Sequence, residues 1–187
     1  MTTINKNANN VYKPKVLRLK YDTEHTTFST LRNDFTIELY DSIETQLLEL
    51  LACRNPSLSK DEILSLNMIQ QHLKIHGETL HTYGVWVHYP WKRQLVHILD
   101  EEEFIEVRTN RNKYKINQNE QDLLRTKKIG IAGLSVGRAV ATTIALERLA
   151  GEIRLADMDN LELSNLNRIN APLYEMGMNK TMSVAIE

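Results

Sequence analysis

The chain has a single cysteine, Cys53, in 187 residues, which excludes an internal disulfide and any zinc site built from cysteine pairs. A reducing compartment fits that scarcity. Nowhere do about 18 apolar residues run together, the length a membrane helix needs. The Asn-rich start from Met1 to Val11 lacks the apolar core of a secretion signal. A cytoplasmic protein with no membrane partner is expected. Charge of one sign is also missing: 23 Lys and Arg stand against 24 Asp and Glu, a net charge of −1, so no overall field draws nucleic acid or anionic lipid. No nucleic-acid partner is expected, and any phosphate binding has to be local. What is present is ordinary: 42% hydrophobic and 25% charged residues match a globular chain able to bury a core.

Residues 1–14, with Asn5, Asn7, Asn9 and Asn10 and no apolar period, read as a tail. A helical pattern begins at Tyr40, where Asp41 and Glu44 have capping-box spacing ahead of Ile43, Leu47, Leu48, Leu50 and Leu51. Asn55-Pro56-Ser57 ends it. Ser59 and Glu62 repeat the cap signature, Ile63, Leu66, Ile69 and Leu73 come after them at helical spacing, and Gly77 stops the run. An antiparallel helix pair is predicted. Gly84 to Trp91 and Leu95 to Leu99 read as a β-hairpin, and Asp100 to Glu103 opens a short helix with acids in its first turn. Residues 15–105 thus form a small α+β module with a helix pair and a hairpin.

Residues 106–187 have a different pattern. A short helix over Glu120 to Arg125 precedes Lys128-Ile129-Gly130-Ile131-Ala132, a run typical of a buried parallel strand. Helical spacing returns from Val136 to Leu149, Gly151 stops it, and Ile153 to Ala156 gives a second strand closed by Asp157. Strand, glycine turn, helix, strand and acid make a βαβ unit, the start of a Rossmann-like doubly wound α/β sheet. Gly133-Leu134-Ser135-Val136-Gly137 occupies the place where backbone approaches phosphate at a helix start. A full G-x-G-x-x-G would need glycine at Ser135 and Arg138, so phosphate loop and plain tight turn both remain open. Asp157, 24 positions after Gly133, can accept from ribose hydroxyls or cap the next helix.

The twelve residues from Asp157 to Arg168, D-M-D-N-L-E-L-S-N-L-N-R, resemble the signature of the ThiF/MoeB adenylyltransferases, relatives of the ubiquitin-activating enzymes. In that family the second strand ends in D-x-D and continues through S-N-L-x-R. Lys180, 12 positions after Arg168, stands close to the family's ATP-contacting lysine. Arg108-Thr109-Asn110-Arg111 resembles its R-Y-x-R segment, and Glu120 to Leu124 stands just ahead of the first strand as in the family. The resemblance covers residues 108–187.

It implies ATP-dependent adenylation of a carboxylate, typically the C-terminus of a ubiquitin-like or sulfur-carrier protein, with ATP and Mg²⁺. Gly133, Ser135 and Gly137 would line the ATP phosphates, and Asp157 and Asp159 belong to the nucleotide site, Asp157 on the ribose. Asn165 and Arg168 would lie near the phosphates, and Lys180 would neutralise charge. Arg111 would reach into a partner's site, which implies a homodimer. Fixed cations make sense for this reaction, because charge builds at the α-phosphorus. The family's further strands and its metal-binding acid have no counterpart before Glu187, so this segment is expected to be an N-terminal part, inactive alone. The family's thioester cysteine has no counterpart here either.

Two other classes share some features. A NAD(P)-dependent oxidoreductase shares the glycine turn and acid, although hydride transfer has no need of S-N-L-N-R. A non-catalytic interaction module needs no site at all. His72 and His76 have i, i+4 spacing, with His81 beyond, but no supporting acid or cysteine. They read as helix surface, and no residue is assigned to a metal. Cys53 reads as core, and Trp86, Tyr89 and Trp91 as packing against the helix pair.

Overall fold

A computed structural model describes residues 12–187. The expected tail over 1–14 lies, up to Val11, outside the described residues. Two compact units divide between Asn110 and Arg111. The sequence boundary after residue 105 falls within a helix that belongs whole to the first unit.

The first unit opens with β1 (Lys15–Leu17), α1 (Asp22–Arg32) and β2 (Glu38–Asp41). The sequence pattern announces none of these, and it puts the start of a helix where β2 lies. The short strands β1 and β2 carry no alternation long enough to read, and they gain their partners from the hairpin. Next come α2 (Ile43–Arg54), α3 (Lys60–Ser65), α4 (Met68–His76), β3 (Val85–Tyr89), β4 (Gln94–Ile98) and α5 (Glu101–Thr109). The expected hairpin is β3 and β4, antiparallel, extended to a mixed sheet of order β1-β3-β4-β2 with β2 parallel to β4.

The expected second helix of the pair is two helices. Asn67 adopts a left-handed φ of 54°, which asparagine tolerates better than most residues, and Leu66 beside it is exposed rather than packed. The Ser59 and Glu62 capping box forms as expected, and Gly77 ends α4 in the left-handed region. The Asp41 and Glu44 box does not: Ser42 is the N-cap, and the Asp41 carboxylate accepts from the Ile43 N–H instead.

One core gathers Leu47, Leu50, Ile63 and Leu73 of the helices with Tyr83 and Leu99. A second gathers Leu17, Leu19, Phe28, Trp86 and Leu95. Trp86 is therefore core, as expected, but it packs with β1 and α1 rather than with the helix pair. Its ring also stacks on His97 at 4.2 Å. Fully buried, His97 reaches the Asp41 carboxylate through Nδ1 at 2.9 Å and the Tyr83 carbonyl through Nε2 at 2.7 Å. The Tyr83 carbonyl can only accept, so Nε2 donates to it. Replacing His97 with leucine strands a buried acceptor and is expected to cost about 2–4 kcal/mol. A lower urea midpoint by tryptophan fluorescence checks it.

His72 is half-buried rather than plain surface. Its Nε2 donates to the Tyr83 hydroxyl at 2.7 Å, which donates to Glu103 at 2.7 Å. Burial and the neighbouring Glu103 carboxylate hold the Tyr83 phenol far above its ordinary range. Among the described residues no three His, Cys, Asp or Glu gather as metal ligands, and no helix is long and apolar enough to cross a membrane.

The second unit comprises α6 (Gln118–Arg125), β5 (Lys128–Ala132), α7 (Gly137–Glu147), β6 (Glu152–Ala156) and α8 (Lys180–Ile186). Strands β5 and β6 pair in parallel, Ile131 opposite Leu155 and Ala132 opposite Ala156. This βαβ arrangement makes the unit α/β. The strands are not the doubly buried pair that the apolar run suggests. Exposed Lys128, Gly130 and Ala132 alternate with half-buried Ile129 and Ile131, so α7 covers only one face.

Candidate functional site

The carboxyl ends of β5 and β6 hold the residues singled out in the second half. Gly133 leaves β5 with φ +83°, a conformation glycine adopts without the Cβ penalty. Its N–H donates to the Ala156 carbonyl at 2.8 Å, tying the turn to the end of β6. Gly137 has a different reason. A Cβ there would lie 2.9 Å from Ile131 Cγ2, so glycine lets α7 start close against β5, the helix-packing part that the last glycine of a nucleotide fingerprint plays. The N-cap position, Val136, offers no side-chain cap. The Gly137 N–H donates back to the Gly133 carbonyl at 3.1 Å, so the amides that follow it in the first turn are the ones a further acceptor can meet.

Asp157 closes the turn from the other strand. Its Oδ2 accepts from the Leu134 N–H at 2.5 Å and its Oδ1 from the Asp159 N–H at 2.9 Å. Those two amides, first Leu134 and then Asp159, with Lys180 nearby, hold its carboxyl below the ordinary aspartate range. It does not cap the next helical turn, whose N-cap is Glu162, because its two oxygens bond the glycine turn and its own segment. It braces the loop, and each oxygen keeps a further lone pair.

Because the folded pKa is depressed, this bracing is fully present above the unfolded aspartate value and is lost as pH falls through the lower folded one. Asp157→Asn is thus expected to melt below wild type at neutral pH, the gap closing as pH drops under ~3.9. Melting temperatures followed by circular dichroism from neutral pH to pH 2 check this.

Lys180 and Arg168 bring cations to the same end. Lys180 is buried, its Nζ 3.0 Å from Asp159 Oδ2, and its N–H bonds the Asp159 carbonyl at 3.0 Å. Arg168 is exposed and crosses to the turn, its Nε donating to Ser135 Oγ at 2.6 Å and its Nη1 to Asn167 at 2.9 Å. Asn165 is buried in the 3-10 turn Leu163–Asn167, where its Oδ1 accepts from the Glu162 N–H at 3.1 Å and shapes the segment that carries Arg168. Arg111 stands exposed on the 3-10 turn Asn110–Asn112 at the edge of the unit. Direct bonds thus link Asp157, Asp159 and Lys180 in one chain and Arg168 with Ser135 in a second, and the Gly133 turn connects the two through the Leu134 N–H on Asp157. Arg111 lies outside that set.

The segment between β6 and α8 folds back on itself. Leu161 exchanges backbone bonds with Gly177 and Met178, and Asn160 bridges Asn179. The network that holds it has no sequence signature. Arg138, which stands where a full fingerprint would need its last glycine, turns its side chain away from the glycine turn. Its side chain is buried against α8, with Nη1 donating to Ser183 Oγ at 2.6 Å and Nε 2.9 Å from Glu187 Oε2. Ser183 donates in turn to buried Glu175 at 2.5 Å. A cation in the first turn of a helix opposes the helix dipole, and that is the available signal that Arg138 has acidic partners elsewhere.

No family model matches the chain, and no solved structure matches it. Among curated proteins, an uncharacterized protein of Mycobacterium tuberculosis is 45% identical over 100 residues, a stretch that covers 54% of this chain and 14% of that protein. The chain therefore spans a small part of the length of its relative.

Proposed function

We propose that this chain carries the nucleotide site of a ThiF/MoeB-type adenylyltransferase, which activates a carboxylate with ATP. The observation that carries the reading is the convergence of the Gly133 turn, Asp157, Arg168 and Lys180 at the carboxyl ends of two parallel strands, where α/β sheets bind ligands. A Cβ on Gly133 would meet nothing within 4 Å, so that side of the turn is open to a phosphate. Met158 and Val136, large apolar side chains left exposed at the same end, offer surface to an adenine ring.

In the reaction a carboxylate oxygen attacks the α-phosphorus, the bond from that phosphorus to the bridging oxygen breaks, and pyrophosphate leaves. The amides of the first turn of α7 beyond Gly137 face the phosphates, because the Gly133, Leu134 and Gly137 N–H groups are already bonded within the protein. Asp157 orients the ribose, and Arg168 exchanges Ser135 for phosphate oxygen. Lys180, with Arg168, stabilises the charge that develops. Arg111 of a second copy would complete the site in a homodimer. The carboxylate is best supplied by the C-terminus of a ubiquitin-like or sulfur-carrier protein in the cytoplasm. Mg²⁺ fits poorly with protein ligands alone: Asp157 accepts from two amides, Asp159 pairs with Lys180, and the described residues form no three-ligand group. No step is assigned to it.

The test is carboxylate-dependent ATP–pyrophosphate exchange by the full-length gene product. Exchange that requires a small protein ending in a free carboxylate is expected. NAD binding without exchange would replace this reading with an oxidoreductase, and absence of nucleotide binding with an interaction module.

A further inference from the structure

We propose that Arg138 is a positioning residue: by gripping Ser183 it sets the register of α8 and so holds Lys180 at the carboxyl end of β6. This rests on the nucleotide-site reading for its purpose, but its geometry stands apart from that reading.

Helix α8 has seven residues, and its buried side chains are Lys180 and Ser183, both polar. Met182, Val184 and Ile186 are only half-buried, so the fully buried contacts that fix this helix along its axis are polar. Residues three apart share a helix face, so whatever fixes Ser183 also fixes Lys180 one turn earlier. Ser183 is fully buried between two charged groups, accepting from Arg138 Nη1 at 2.6 Å and donating to Glu175 Oε2 at 2.5 Å. Arg138 Nε is held by Glu187 at 2.9 Å. A guanidinium with its acids can often be replaced by apolar side chains without loss of stability, so placement rather than stability is the role the network suits. Arg138 also directly succeeds Gly137, in the first turn of α7. The same short stretch of chain thus forms the glycine turn and fixes the lysine that faces it. The grip spans α7, the 3-10 turn Leu173–Glu175 and α8.

The experiment compares wild type with Arg138→Met, Arg138→Lys and Ser183→Ala. Each is acetylated briefly with an N-hydroxysuccinimide ester, and each lysine's rate is read by peptide mass spectrometry. In wild type, buried Lys180 is expected to react slowly and exposed Lys128 quickly. In Arg138→Met, Lys180 is expected to react about tenfold faster as α8 gains local freedom, with Lys128 unchanged and with Arg138→Lys restoring much of the protection. Lys180 as slow in Arg138→Met as in wild type would overturn the proposal. So would a rise shared by all lysines of the unit, which would mark general loosening. If Arg138→Met does not fold, Ser183→Ala carries the test with the same selective rise expected and an unchanged Lys180 rate overturning it.

ATP affinity supplies a second readout. Losses from Arg138→Met and Lys180→Met are expected to be non-additive, as for residues acting as one unit, and additive losses would contradict the grip. A wild type that binds no ATP would remove the nucleotide reading while leaving the acetylation result to decide the positioning role.

Discussion

Gly151→Ala is expected to leave the βαβ unit unfolded while the first unit stays intact. A Cβ at this position would lie 1.9 Å from the Arg125 carbonyl oxygen and 2.9 Å from its carbon. Both are backbone atoms at the end of α6, so no side-chain rotation relieves the overlap. Moving β6 away breaks the bonds from the Gly151 and Glu152 N–H groups to the Lys127 carbonyl, and with them the adjoining pairing of Lys128 with Glu152. The expected loss exceeds about 4 kcal/mol, the range reached by severe overpacking. Amide NMR of the second unit reads the loss. Trp86 and Trp91 both belong to the first unit, so tryptophan fluorescence serves as the internal control. Gly133→Ala provides the contrast: its Cβ meets nothing, and only the left-handed backbone is strained, at about 1 kcal/mol. A folded, fully stable Gly151→Ala would refute the close approach.

Arg168→Ala is expected to slow ATP–pyrophosphate exchange by about 10²–10³, the range for removing one group that stabilises developing charge. The guanidinium already lies on the glycine turn through Ser135 and is exposed, so it can rotate onto a phosphate without unpacking a core. Arg168→Lys is expected to recover only part of the rate, because an ammonium lacks the planar fork. Ser135→Ala, which removes only the hydroxyl the arginine rests on, is expected to change exchange little. The measurement is the ATP–pyrophosphate exchange rate in the presence of a carboxylate that supports exchange. An Arg168→Ala protein with the wild-type rate would detach this residue from the reaction.

Legibility in the sequence depends on whether one residue's local chemistry decides the outcome. Strand β5, the hairpin and the Ser59 cap are legible because period and cap signals are local. Gly151 reads as a helix stop, yet the helix ends earlier, at Glu147, with Arg148 left-handed at φ 55°. What Gly151 permits is contact with a backbone 26 positions earlier, which no local rule contains. Strands β1 and β2 are hidden for the same reason, since each is four residues or fewer and defined by its partner. At the site, the glycine turn and Asp157 are legible as types and spacings. The bracing of that acid by two amides and the turning of Arg138 toward Ser183 depend on how residues 157–179 fold back, a matter of tertiary packing.

The most direct measurement is an amide NMR titration of the chain with ATP. Under the nucleotide-site account, saturable shifts are expected at Gly133, Leu134 and Gly137 and at the Asp159 and Lys180 amides, with the first unit's hairpin unmoved, and Lys180→Met is expected to weaken binding at least tenfold. Absence of shifts at the Gly133 turn at millimolar ATP, or shifts unaffected by Lys180→Met, would contradict it.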